Sequence, residues 1–233
     1  MEASRSFSII AGLALILLLT FLFWRHVWFF RNPARTIPGG DNLVSPADGT
    51  VVYAEVVEPH APAIAIKQGM TVCINDIVRE DLARPRLLIG IFMSPFDVHY
   101  NRAPLTCTVE FVRHYPAITK NVHMTFMHLR TLLNLFPFYR HSVHIVENER
   151  TVTRITGEFK GRPLSSYVVQ IAGGTVSGID SYVRESQVVE NGEIFGMIRI
   201  GSQVDLVVPY RENMRITVGP GVTVKAGESI LVE

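Results

Sequence analysis

A hydroxyl directly after a glycine, Gly201-Ser202, stands inside the run Phe195 to Pro209 (FGMIRIGSQVDLVVP), with Met197, Ile198 and Ile200 before it and Val204, Leu206, Val207 and Val208 after it. The flanks are apolar and rich in β-branched residues, so the serine joins two strand-like segments. The G-x-S-x-G spacing of a hydrolase elbow is missing and no helical pattern follows, which argues against a strand-turn-helix nucleophile. Glycine in front of the serine keeps the approach of the hydroxyl to the Gly201 carbonyl free of a Cβ and tolerates a strained backbone. Read alone, such a serine is an ordinary strand or bulge residue. Two more polar clusters stand at strand ends. Ser45-Pro46-Ala47-Asp48-Gly49-Thr50 places a carboxylate in a turn that opens a strand. Ser94-Pro95-Phe96-Asp97-Val98-His99-Tyr100-Asn101-Arg102-Ala103-Pro104 follows an apolar strand and carries Asp97 and His99. Histidine titrates near neutral pH and suits proton transfer there.

Together these segments resemble the phosphatidylserine decarboxylase proenzymes. In that family the chain breaks between Gly and Ser and the serine becomes a pyruvoyl group. The resemblance implies cleavage at Gly201-Ser202 into a large chain 1–201 and a small chain 202–233, a heterodimer whose higher oligomeric state is left open. Serine attacks the Gly201 carbonyl to give an ester, β-elimination releases the new chain end, and hydrolysis leaves the pyruvoyl cofactor on Ser202. That group forms a Schiff base with the substrate amine and takes up the electron pair released with CO2, the role pyridoxal phosphate has elsewhere. Ser45 to Thr50 matches the family's PADG motif and makes Asp48 the orienter of a histidine, as carboxylates fix a tautomer. Ser94 to His99 matches S-P-x-D-x-H, which makes His99 the general acid and base and Asp97 its neighbour in tuning. Many members carry a second histidine where this chain has Arg102. Glu147-Asn148-Glu149-Arg150 matches an N-E-R motif and is given no catalytic role. Phe29-Phe30-Arg31-Asn32-Pro33-x-Arg35 resembles an F-F-R-D-P element, with Asn32 in place of aspartate and Arg31 and Arg35 available to lipid phosphate. The resemblance runs from about Phe29 to Glu233 and is weakest from His114 to Arg140, where His123, His128, Phe136 and Phe138 match nothing in the family. It implies decarboxylation of phosphatidylserine to phosphatidylethanolamine, or of the ether lipid archaetidylserine.

Two other classes compete. His141-Ser142-Val143-His144, with His114, His123 and His128 nearby, invites a membrane-tethered zinc hydrolase. A strand would put positions three apart on opposite faces, and neither HExxH nor HxH occurs, so no metal is expected. A membrane-anchored binding module without chemistry is the other.

The chain has 233 residues, 48% of them hydrophobic, a net charge of +1 and a mean hydropathy of +0.24. That suffices for one core and a membrane segment, and the near-neutral balance gives no footprint for nucleic acid. Cys73 and Cys107 have neither CxxC nor zinc-ribbon spacing and read as free thiols in a reducing compartment. Phe7 to Trp24 is an uncharged run of eighteen residues, close to the roughly 20 a membrane helix needs. No small-residue cleavage site follows it, so it reads as an anchor. Arg25, Arg31 and Arg35 after the run outnumber Arg5 before it, placing the catalytic domain on the cytoplasmic side of the cell membrane.

The elements that must position these residues follow from hydrophobic period. An anchor over 1–31 precedes a domain over 32–233, the break being marked by Ile37-Pro38-Gly39-Gly40. Strands are predicted at Thr50 to Val57, Ala63 to Ile66, Leu87 to Met93, Thr106 to Val112, Val143 to Val146, Thr151 to Ile155 and Ser166 to Ile171, with helices within Thr119 to Leu135 and near Val176 to Arg184. Val189-Glu190-Asn191-Gly192-Glu193 and Val224-Lys225-Ala226-Gly227-Glu228 share V-x-x-G-E, each glycine suiting a turn of positive φ. Such hairpins are similar to those of lipoyl- and biotinyl-type domains. The fold class expected is therefore mainly β (α+β), a folded-over β-sandwich resembling barrel-sandwich hybrids, with an N-terminal membrane helix.

Overall fold

The computed structural model describes residues 2–58, 60–67, 70–80, 82–174, 178–199 and 201–233. The chain divides into two compact units, Met1–Pro33 and Ala34–Glu233. The first is the α-helix Glu2–Phe23, continued by a π-helical turn Trp24–Trp28. No charged residue interrupts it between Arg5 and Arg25, and Ser6–Trp28 is long and apolar enough to cross a membrane.

The second unit is mainly β, as expected. Eight antiparallel strands form one sheet in the order Val188–Val189, Cys107–Tyr115, Arg150–Phe159, Arg162–Ile171, Ser202–Pro209, Arg86–Met93, Gly49–Val57 and Thr223–Val224. Ile179–Ser181, Ile194–Ile198 and Tyr100–Arg102 form a three-stranded sheet, and Leu43–Val44 pairs with Ile230–Val232. Successive strand side chains point to opposite faces, and here both faces are covered. Ser202, Val204, Leu206 and Val208 lie on the face whose core includes Ile89, Ile91, Met93 and Val168, while Val207 packs with Phe92, Val152 and Val169 on the other.

The V-x-x-G-E repeat is a structural repeat as well. Gly192 and Gly227 both have φ +76, in the left-handed region that glycine adopts without strain. Gly192 N–H donates to Ala103 O at 2.9 Å and Gly227 N–H to Ser45 O at 2.8 Å. Asn191 N–H donates to Thr106 Oγ1 at 3.0 Å, and Ala226 N–H to Asp48 Oδ1 at 2.7 Å. Between the halves Val44 N–H reaches Pro104 O and Arg102 N–H reaches Pro46 O, both at 2.9 Å. The chain is thus folded over on itself, and Asp48 occupies in one half the place of Thr106 in the other.

Two expected elements differ. Val143 to Val146, read as a strand, lies in a turn and the one-turn helix His144–Glu147. A run of four apolar residues is too short for its period to separate the two, and the turn lets Asn148 hold Val122 N–H, Val122 O and Ala172 O at 2.7–2.8 Å. The helix expected near Val176 to Arg184 is replaced by the strand Ile179–Ser181, whose register Ile179↔Ile198 gives its backbone partners in the three-stranded sheet; residues 175–177 lie outside the described residues.

The strand Ser202–Pro209 is also fixed by polar groups on its second face. Gln203 Nε2 donates to Tyr53 Oη (2.5 Å) and Asp205 Oδ1 (2.7 Å), and Tyr53 Oη donates to Asp205 Oδ1 at 2.8 Å. His144 Nε2 lies 3.1 Å from Gln203 Oε1, so it carries the proton of a neutral ring. Burial pushes the Asp205 carboxyl up to about 6 and the His144 imidazole down to about 4. An acid raised on folding loses stability as pH rises through its folded value. A base lowered on folding gains stability as pH rises toward its ordinary value, so the two oppose each other between about pH 4 and about pH 6. Asp205→Asn removes the first arm, and its thermal midpoint is expected to climb more steeply than that of the parent over this window. Equal slopes by calorimetry would contradict the buried-pair assignment.

Candidate active site

Two strand pairs bring the predicted site together. In the large sheet Met93 stands opposite Ser202. In the three-stranded sheet Tyr100 stands opposite Met197, and Ile198 N–H donates to His99 O at 3.2 Å. The turn from Ser94 to Val98 and the connection from Arg199 to Gly201 are therefore flanked by the same two pairings. His99 and Ser202 enter one region, both fully buried. Gly201 has φ +57, and a Cβ there would meet nothing within 4 Å. The left-handed backbone, which costs other residues about 1–2 kcal/mol, is what asks for glycine. Ile200, part of the expected apolar flank, lies outside the described residues.

Ser202 Oγ points at the thioether of Met93, 3.3 Å away. Sulfur of this kind is a weak acceptor, so the hydroxyl is buried without a strong partner. His99 Nδ1 is 2.9 Å from Asp97 O. A carbonyl only accepts, so Nδ1 bears the proton and Nε2 bears the lone pair of a base. Asp97 builds the turn that achieves this: its Oδ2 accepts Ser94 N–H at 2.7 Å and its own N–H donates to Ser94 O at 3.0 Å. Asp97 thus meets His99 through its backbone carbonyl.

Asp48 is placed differently. Its carboxylate accepts Arg35 Nη2 at 2.9 and 2.8 Å and Ala226 N–H at 2.7 Å, and His99 is not among its described partners. Gly49 at φ +149 brings this turn so close to the neighbouring strand that a Cβ would lie 2.1 Å from Phe92 O. Arg102 donates from Nη1 to Gly192 O at 2.7 Å and holds the repeat hairpin. Burial first, and then the charge of Arg35, lowers its pKa.

Sequence reasoning missed an amide pair beside Ser202. Gln170 Nε2 donates to Asn101 Oδ1 at 2.7 Å, which leaves Asn101 Nδ2 aimed at Met93 Sδ, 3.7 Å away. Both amides are fully buried, and Gln170 Oε1 has no partner. Ser202 Oγ and Asn101 Nδ2 share one sulfur and so lie within 3.3 + 3.7 = 7.0 Å of each other. The signal was available: Asn101 is two residues from His99 and shares its strand face, and Gln170 is a lone amide in an apolar strand.

A cavity of about 180 Å³ opens at Gly201, lined among others by Phe92, Pro95, His123, His128 and Gly174. His128 packs against Phe92 with ring centroids 5.9 Å apart and planes tilted by 58°, and its Nδ1 is buried without a described partner. The histidines of the zinc alternative diverge. His141 is exposed, His144 is buried on Gln203, and among the described residues no cluster of three or more histidine, cysteine or acidic side chains is placed to hold a metal. Cys73 and Cys107 are both free.

The family model described as phosphatidylserine decarboxylase matches residues 22–232. A putative archaetidylserine decarboxylase proenzyme of Methanocaldococcus jannaschii is 33% identical over 208 residues, covering 88% of this chain and 87% of that protein. Phosphatidylserine decarboxylase proenzymes of Syntrophus aciditrophicus (32% over 205 residues; 88% of this chain, 77% of that protein) and Nitrobacter winogradskyi (29% over 242 residues; 98% and 83%) are similar to it as well. A match over nearly the whole chain, spanning the buried Ser202, the His99 turn and the strands that bring them together, shows that the chain belongs to the phosphatidylserine decarboxylase family of carboxy-lyases.

Proposed function

We propose that the protein is a proenzyme that cuts itself at Gly201-Ser202 and then decarboxylates a serine phospholipid. The observation that carries this is Ser202 itself: a fully buried hydroxyl, after a left-handed glycine, whose described hydrogen-bond partner is a thioether. In the first step Ser202 Oγ bonds to the Gly201 carbonyl carbon and its proton passes to His99 Nε2. Asn101 Nδ2–H donates to the oxygen that becomes negative, an electrostatic role for a preorganised buried donor. His99 returns the proton to the Ser202 nitrogen as the peptide C–N bond breaks, leaving an ester and a free amine. Removal of the Ser202 Cα proton, again by His99, expels Gly201 as a carboxylate. The resulting enamine tautomerises, takes up water and releases ammonia, leaving a pyruvoyl group at residue 202.

The surrounding residues fit such a group: it is buried, flanked by the Asn101 amide, and adjoins the cavity at Gly201. Once formed, it supplies the electron sink for the pair released with CO2. Asp97 holds the His99 tautomer through its carbonyl, and Asp48, clamped by Arg35, anchors the hairpin of the small chain and thereby the strand order around Ser202. The two chains stay together as a heterodimer. The cavity is of headgroup size, so it reads the phosphoserine end shared by ester and ether lipids, and phosphatidylserine is the substrate we assign. The helix Glu2–Phe23 anchors the protein in the membrane, with the domain on the cytoplasmic side by the arginine bias.

Expressed protein should show chain cleavage on a gel and release CO2 from phosphatidylserine vesicles. Ser202→Ala should abolish both, and an uncut wild type that still releases CO2 would overturn the reading. His99→Ala should slow cleavage by about 10²- to 10⁴-fold, the usual loss for a general base. Asn101→Leu should slow it by about 10²- to 10³-fold, as for loss of an oxyanion donor. Cleavage of either variant at the wild-type rate would remove that residue from the first step.

A further inference from the structure

The helix Thr125–Leu132 is turned inside out for a protein in water. Met127 faces the core, whereas Phe126, Leu129, Leu132 and Leu133 are exposed, Phe126 at 64% and Leu132 at 72%. These positions form one stripe by the i, i+3, i+7 rule, and Leu135 and Phe136 after the helix, with Phe96 across the cavity mouth, are exposed as well. Soluble proteins rarely expose an apolar patch of this extent without a partner for it. The patch adjoins the cavity at Gly201, because Pro95, next to Phe96, and Met124 and Thr125, at the start of the helix, line that cavity. Its charge is one-sided. From Phe111 to Val146 there is no aspartate or glutamate, while Lys120, Arg130 and Arg140 are basic; the fourth cation of the segment, Arg113, is paired with Glu80 at 2.8 Å. Arg130 also donates to Leu135 O at 3.1 Å and Pro137 O at 3.4 Å, so the loop after the helix is tied down.

We propose that Thr125–Leu132 and the loop through Phe136 form a lip that inserts into an anionic lipid surface beside the cavity at Gly201, so that a lipid headgroup enters the cavity while its chains stay in the bilayer. The proposal rests on the decarboxylase reading for its substrate. Apolar exposure combined with positive charge is the signature of a segment lying in the membrane interface, where buried apolar area and attraction to anionic headgroups add. A second copy of this chain would satisfy the apolar stripe, but it would set Lys120, Arg130 and Arg140 against the same three cations. The continuity of the patch with a headgroup-sized cavity also favours lipid.

The test uses the full chain in vesicles of phosphatidylcholine and phosphatidylglycerol. A Cys73→Ser background leaves Cys107, which is buried, and labelling of this background without an added cysteine sets the baseline. An environment-sensitive NBD label is placed at Phe126→Cys or Leu132→Cys, with Val188→Cys, exposed on the outer edge strand of the large sheet, as control. The two lip labels should shift to the blue and be quenched by a nitroxide on the lipid acyl chain, with aqueous iodide quenching them several-fold less than the control. Lip labels as accessible to iodide as the control would overturn the proposal. So would shielding that persists in detergent and grows with protein concentration, since that would assign the surface to a second copy. Cleavage at Gly201-Ser202 is read on the same samples: an intact bond would defeat the decarboxylase reading while the label result stands or falls separately.

Discussion

Every feature of the site depends on the strand Ser202–Pro209 being paired along both edges and buried on both faces. Eight register pairs join it to Arg86–Met93 and five join it to Arg162–Ile171. Its first residue can therefore be a reacting group without being a free end. If the bond before Ser202 breaks, the piece that follows is still held by two neighbouring strands and by the Gln203, Asp205, Tyr53 and His144 network. Thr223–Val224 and Ile230–Val232, further along the same piece, pair with Gly49–Val57 and Leu43–Val44. A chain cut at that point keeps its architecture, because the packing that defines it crosses the cut.

The constraint has an electrostatic counterpart. Buried charge is costly unless paired, and the charges near Ser202 are kept in a separate cluster. Arg35 meets Asp48 and Glu228, and Arg102 meets the Gly192 carbonyl. What Ser202 Oγ meets is neutral: the Met93 thioether, which also meets the Asn101 amide whose oxygen is already engaged by Gln170. In such surroundings a single preorganised N–H acts strongly on a developing oxyanion.

Much of this was legible in the sequence, and for identifiable reasons. The long apolar N-terminal helix follows from length and charge alone, and the β class from short runs punctuated by glycine and proline. The two V-x-x-G-E turns announced themselves because only glycine is at ease at φ +76. The Ser45 to Thr50 and Ser94 to His99 clusters were visible as polar residues at strand ends. Pairing was not legible: that Asp48 meets Arg35 and Ala226, and that Arg102 holds a hairpin, depend on the fold returning on itself over long separations. Asn101 and Gln170 were visible as an amide on the His99 face and a lone amide in an apolar strand, but their joint burial was not, because tertiary packing decides it. Val143 to Val146 misled because burial of His144 and the bonds of Asn148 decide that turn, and neither is a local property.

The central claim is that the bond before Ser202 breaks and leaves a ketone there. Mass spectrometry of the purified wild-type protein tests it most directly. The expected result is a chain ending at Gly201 and a second of 233 − 202 + 1 = 32 residues whose amino end is a pyruvoyl group in place of serine. A single uncut species of 26.1 kDa in a preparation that releases CO2 would contradict it.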